Sequence, residues 1–136
     1  MSTAELGPKR LRHRTFWLAC GAGFIGLVIY LSLTPYPIQA PVWWNFKIGH
    51  MLAYCWLMFW YLQIYEGWRQ RAWIAVGLCL MGVALEFAQG MTGYRHFGYT
   101  DMRDNAIGVA IGLTFALTPF RDTLSIVESR MLRSWR

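Results

Sequence analysis

Residues 16–34 run for 19 positions without a charged side chain. As a helix they reach about 28 Å at 1.5 Å per residue, close to the roughly 30 Å hydrocarbon core of a bilayer. Pro35 and Pro37 end the run, because proline lacks the N–H that a helix needs. Three further apolar runs follow at 48–65, 73–91 and 106–120, the last only 15 residues long. One such run can be the core helix of a soluble domain. Several cannot, because only 15% of the chain is charged, against about 25% in a soluble domain. Too little polar sequence remains to enclose them. The expectation is an all-α membrane protein with four transmembrane helices. Composition excludes disorder and collagen-like repeats. Cys20, Cys55 and Cys79 lie far apart in apolar runs with no CxxC pair. They read as small buried hydrophobes, not as zinc ligands or a disulfide framework.

Lys9, Arg10, Arg12 and Arg14 precede the first run. That run exceeds the 7–15 residues of a typical signal-peptide core, and no small-x-small site follows it, so it is expected to stay as an uncleaved helix. Alternate crossings divide the 13 basic residues ten to three. Ten fall in the N-terminal tail, the 66–72 loop and the C-terminal tail. Lys47, Arg95 and Arg103 fall in the 35–47 and 92–105 loops. The positive-inside bias then puts both termini in the cytoplasm and those two loops outside. Trp43, Trp44, Tyr94 and Tyr99 suit an outer aromatic belt, and Trp17, Trp68 and Trp73 an inner one. The net charge of +6 needs no nucleic acid, since an anionic leaflet attracts such tails.

The chain divides into a basic tail (1–15), a four-helix domain (16–120) and a basic C-terminal tail (121–136). In that last tail Leu124, Val127, Met131 and Trp135 share one helical face, and Ser125 and Glu128 have capping-box spacing. An amphipathic interfacial helix is expected there.

Polar stripes on three helices carry the functional information. Lys47, His50 and Tyr54 share one face near the start of the second span. Gly82, Glu86, Gln89 and Gly93 share one face at the end of the third. If a helix already starts near Asp101, then Asp101, Asp104, Asn105, Gly108 and Gly112 do the same on the fourth. All three stripes fall at the outer ends of their helices. An ionisable side chain facing lipid costs a few kcal/mol or more, so these groups must turn inward and meet. Lys47, Arg95 and Arg103 are expected to neutralise Glu86, Asp101 and Asp104. The fourth run, about 22 Å as a helix, leaves part of the 92–105 loop to dip into the outer leaflet against protein. Gly82 and the Gly108/Gly112 pair read as packing positions. GxxxG pairs serve contacts within one bundle or between chains, which leaves homo-oligomers open.

The series Lys47-x-x-His50-x-x-x-Tyr54, then Glu86-x-x-Gln89, Arg95, Asp101, Asn105 and Gly108, resembles the VanZ-like family, named for a protein linked to teicoplanin resistance. The likeness covers residues 47 to about 115. Tyr94 departs from it, standing where a glycine is common before the arginine, and His96 and Gly98 are unusual additions. The resemblance implies a small bacterial multi-pass membrane protein and no particular reaction.

Two functions fit the stripes. Lys47, His50, Tyr54, Glu86, Gln89, Arg95, Asp101, Asp104 and Asn105 can form an outward polar cluster that binds an envelope lipid, glycolipid or amphiphilic drug and so alters envelope or glycopeptide susceptibility. Alternatively, His50, Glu86 and Asp101 can serve a membrane hydrolase or transferase acting on a lipid head group, with His50 as general base or with a divalent metal. The sequence holds no HExxH or GxSxG motif, and the reading assigns no resident metal or cofactor. Membrane lipids are the expected partners.

Overall fold

The computed structural model describes residues 11–36 and 46–134. Lys9, Arg10, Trp43, Trp44 and Trp135, named above as tail, belt and amphipathic-face residues, lie outside these. The regular structure of the described residues is helical: α1 (Arg14–Leu33), α2 (Phe46–Leu62), α3 (Trp68–Met91), α4 (Tyr99–Thr114) and α5 (Thr123–Ser134). Two short 3₁₀ turns, Phe115–Leu117 and Pro119–Asp122, join α4 to α5. Helices α1 and α3 are long and apolar enough to cross a membrane. Only 6% of the apolar window of α1 is buried, which is the opposite of a soluble core helix. Helices α2 and α4, at 17 and 16 residues, are shorter than the roughly 20 residues of an upright span.

Helix α4 begins at Tyr99, seven residues before the apolar run that marks it in the sequence. Its first two turns carry Asp101, Asp104 and Asn105 on the face turned into the bundle, and the latter two are buried. The helix start near Asp101 on which the third stripe depends is therefore present, and it takes the end of the 92–105 loop into α4. At the opposite end, α3 begins at Trp68 and takes in the basic residues expected in a loop. Arg71 is buried. Its Nε donates to Tyr65 O at 3.0 Å and its terminal nitrogen to Leu62 O at 3.2 Å. It thereby closes the carbonyl end of α2, whose last C=O groups have no partner within the helix.

The core lies between α2, α3 and α4, with Tyr54, Leu57, Met58, Leu62, Leu78 and Val109 at its centre. The α2–α4 contact is the tightest. A Cβ on Gly108 would run into the backbone of Met51, and one on Gly112 would stand 2.6 Å from Cys55 O and 2.7 Å from Met58 Cβ. Only glycine lets the two backbones approach this closely, so both glycines of the GxxxG are used inside the bundle. Helix α1 packs more loosely, through Trp17, Phe24 and the buried Gly21 against Trp60 and Tyr61.

Polar groups hold α1 at both ends. Its carbonyl end receives Gln89 Nε2 on Ser32 O (2.9 Å), the Tyr94 hydroxyl on Leu33 O (2.7 Å), and Arg95 on Thr34 O (3.2 Å) and Leu31 O (3.0 Å). Its amide end is closed by a residue far along the chain. The Glu128 carboxylate accepts the backbone N–H of Arg12 at 2.7 Å and of His13 at 2.8 Å, and the Trp17 indole N–H at 3.2 Å. Glu128 thus caps α1 and not its own helix, and the Ser125 hydroxyl donates to Asp122 O; the capping box expected within the tail does not form. Helix α5 is docked, with Leu124 packed against Leu11, Trp60 and Ile64 and its N–H on Gln63 Oε1 at 2.8 Å. Val127 and Met131, on the expected apolar face, are exposed. The start of α1 and all of α5 therefore meet at one end of the bundle, opposite the polar stripes.

Candidate functional site

His50 on α2, Glu86 on α3 and Asp101 on α4 converge at the end of the bundle away from α5. Each offers one ligand atom, and the three atoms lie within 4.8 Å of one another. Glu86 is 1% exposed, while His50 and Asp101 are half-buried, so the cluster has a closed back and an open side. The segment that links α3 to α4 supplies its rim. Gly93, at φ 76°, turns the chain in the left-handed region that favours glycine. Gly98 precedes α4 in extended backbone, and its N–H donates to Glu86 Oε2 at 3.2 Å. Asp101 lies in the first turn of α4, where the amide end of a helix favours negative charge.

One turn further along each helix stand Tyr54, Gly82 and Asn105. A Cβ on Gly82 would meet Asn105 Nδ2 at 3.1 Å and Tyr54 Cε1 at 3.4 Å, so these two side chains close over the glycine. Tyr54 is 1% and Asn105 2% exposed. The Tyr54 hydroxyl and Asn105 Oδ1 have no hydrogen-bond partner among the described residues. Another turn along, Met58, Leu78 and Val109 are apolar core. The cluster thus has a polar second tier and a greasy floor.

The other candidates from the sequence are placed elsewhere. Gln89 and Arg95 close the carbonyl end of α1, so Arg95 does not neutralise Glu86 as expected. The last carbonyls of a helix have no partner within it, and that demand takes the guanidinium. Arg103 pairs with its neighbour Asp104 at 2.9 Å. The second oxygen of Asp104, buried, has no partner among the described residues. Lys47 is exposed in the first turn of α2. Two structural polar residues, Gln63 and Arg71, escape the sequence reading, and a third, Glu128, is read there as a cap within its own tail and not on α1. Arg71 leaves a trace in the sequence only as a cation next to the end of an apolar run.

An imidazole beside two carboxylates can relay a proton, accept donors from a bound molecule or ligate a metal. No protein-family model, curated protein or solved structure matches this chain.

Proposed function

We propose that the chain is a VanZ-like, four-span protein of the bacterial cytoplasmic membrane that binds the head group of an envelope lipid or related amphiphile. The observation that carries the reading is the meeting of His50, Glu86 and Asp101 from three helices at one end of the bundle. Ionisable groups inside a membrane are costly and tend to mark function. A purely structural network would leave its polar atoms paired, and here Tyr54 and Asn105 bring unsatisfied ones to the same place. The open side at His50 and Asp101 gives a head group its entry, with acyl chains left in the bilayer. The short helices α2 and α4 fit a locally thinned bilayer or an end recessed below the interface.

The test is the lipid complement retained on purification. Native mass spectrometry of the wild type in mild detergent should show a retained lipid, and Glu86→Gln and Asp101→Asn should lose it while still folded. An identical complement in all three would overturn the reading. A second reading, a hydrolase or transferase acting on the same head group, is favoured by His50 standing beside two carboxylates, a general-base arrangement. Release of a labelled head group over time would distinguish it from binding.

A further inference from the structure

We propose that His50, Glu86 and Asp101 hold one divalent metal ion, of the Zn2+ or Mn2+ class, with open coordination positions on the exposed side of the cluster. The donor set is one nitrogen and two carboxylate oxygens. Imidazole suits zinc and iron, and carboxylates suit manganese and magnesium, so the mixture favours Zn2+ or Mn2+ over Mg2+ or Ca2+, which take oxygen ligands. Metal–ligand bonds of about 2.0–2.2 Å place neighbouring donors roughly 3–3.5 Å apart. The present spread of up to 4.8 Å closes by side-chain torsion alone, since His50 and Asp101 are only half-buried.

Charge points the same way. Two carboxylates brought together in a poorly solvated place repel, and a shared cation relieves the repulsion. Of the three cations expected there, Arg95 and Arg103 are held by α1 carbonyls and by Asp104, and Lys47 is exposed in the first turn of α2. A divalent ion balances the pair.

The tier beneath is an independent pointer. The Tyr54 hydroxyl is buried, without a partner among the described residues, one turn below His50 on the same face of α2. Groups that orient metal ligands from behind are a regular part of such sites. The Gly98 N–H already fixes one oxygen of Glu86 at 3.2 Å, which leaves the other for the metal. Three protein ligands with open positions are the pattern of sites that bind an exogenous molecule, whereas structural zinc sites are closed by four. Resting on the head-group reading above, the open position is filled by a phosphate or carboxylate oxygen of the bound lipid.

The test uses the full chain in detergent, stripped by chelator and reloaded with Zn2+, Mn2+ or Co2+ alone. One equivalent of Zn2+ or Mn2+ per chain should survive desalting and raise the unfolding temperature. Cobalt should give visible d–d bands of nitrogen–oxygen coordination, a readout on the wild type that needs no variant. His50→Ala, Glu86→Gln and Asp101→Asn should each weaken binding well beyond tenfold, the lower end of what loss of an outer partner costs. Tyr54→Phe should weaken it by about tenfold, and His96→Ala, in an exposed loop, should change nothing. His50→Cys should shift preference to Cd2+ with a thiolate charge-transfer band. No retained metal, or retention unchanged in the three ligand variants, would overturn the proposal. Metal uptake without lipid retention would support the metal site and sink the head-group reading. Lipid retention by a chain that takes up no metal would sink the metal site alone.

Discussion

Adding one methyl group to Gly108 or Gly112 tests the tightest contact in the bundle. On Gly112 the new carbon would lie 2.7 Å from Met58 Cβ and 2.6 Å from Cys55 O. Carbon atoms prefer separations of about 3.5–4.0 Å, so α2 and α4 must part by roughly 1 Å. Neither obstacle is the flexible end of a side chain, so the helices themselves have to move. Overpacking of this kind costs about 1–3 kcal/mol, offset by the roughly 0.5–1 kcal/mol that alanine gains over glycine within a helix. Gly112→Ala should therefore lose about 1 kcal/mol. Gly108→Ala meets three backbone atoms of Met51 and should lose about 2 kcal/mol or more, in the upper part of that overpacking range. Gly26 and Gly77 are the controls, since a Cβ on either meets nothing within 4 Å; alanine there should be neutral or slightly stabilising. The assay is unfolding in mixed micelles on titration with dodecyl sulfate. Met51 follows His50 directly, so Gly108→Ala also pushes α4 from α2 beside the cluster. Lipid and metal retention should fall in Gly108→Ala and stay intact in Gly77→Ala. A Gly108→Ala protein within about 0.5 kcal/mol of Gly77→Ala, the range of an uneventful surface change, would refute the close α2–α4 contact.

Other predictions address the two ends of α1 and the topology. Burial pushes the Glu128 carboxyl up, but the amides of His13 and Arg12, the Trp17 indole and the His13 ring outweigh it and hold the group below its ordinary value. A depressed acid contributes stability that is present above the ordinary carboxylate pKa, about 4.3, and is lost as pH falls through that value and the folded one. Unfolding measured from pH 6 to pH 3 should show this loss in the wild type, and Glu128→Gln should flatten it. Glu128→Ala should cost about 1–2 kcal/mol at neutral pH, the worth of a helix cap. Arg95→Met strips two carbonyls of their donor and should cost about 1.5–3 kcal/mol, the range for bonds to a charged group; an unchanged unfolding midpoint would argue against the cap. Deleting 121–136 should lower stability and leave cobalt spectra and lipid retention intact. In a background lacking Cys20, Cys55 and Cys79, single cysteines in the 92–98 segment should react with an impermeant thiol reagent in intact cells and those in 66–72 should not; the reverse would invert the topology.

The cluster is legible because helical periodicity is a local property. Residues 50 and 54, 82 and 86, and 101 and 105 each sit one turn apart, and polar groups on largely apolar helices need one another as partners. The start of α4 is harder to read. Asp101, Asp104 and Asn105 look like loop by composition, and only their burial against α2 and α3 makes them helix. The caps are harder still. Gln89 and Arg95 share spacing or neighbourhood with Glu86, and nothing in their own segment reveals that four carbonyls some 57–64 residues earlier need donors. Glu128 has a local explanation, the capping box, that competes with the true one. A long-range cap leaves no periodicity, so residue spacing alone assigns it to the wrong helix.

The cap that Glu128 places on α1 also bears on how the protein is made. Arg12 and Glu128 are 116 residues apart, so at a synthesis rate of about 5–20 residues per second the first helix waits roughly 6–23 s for its partner. During that interval the leading amides of α1 lack the carboxylate that caps them in the finished fold. Its trailing carbonyls are secured earlier, once Gln89, Tyr94 and Arg95 have emerged. Helix α1 is thus fastened at its far end before its near end. Chains stalled or cleaved before residue 128 would carry an α1 without this cap.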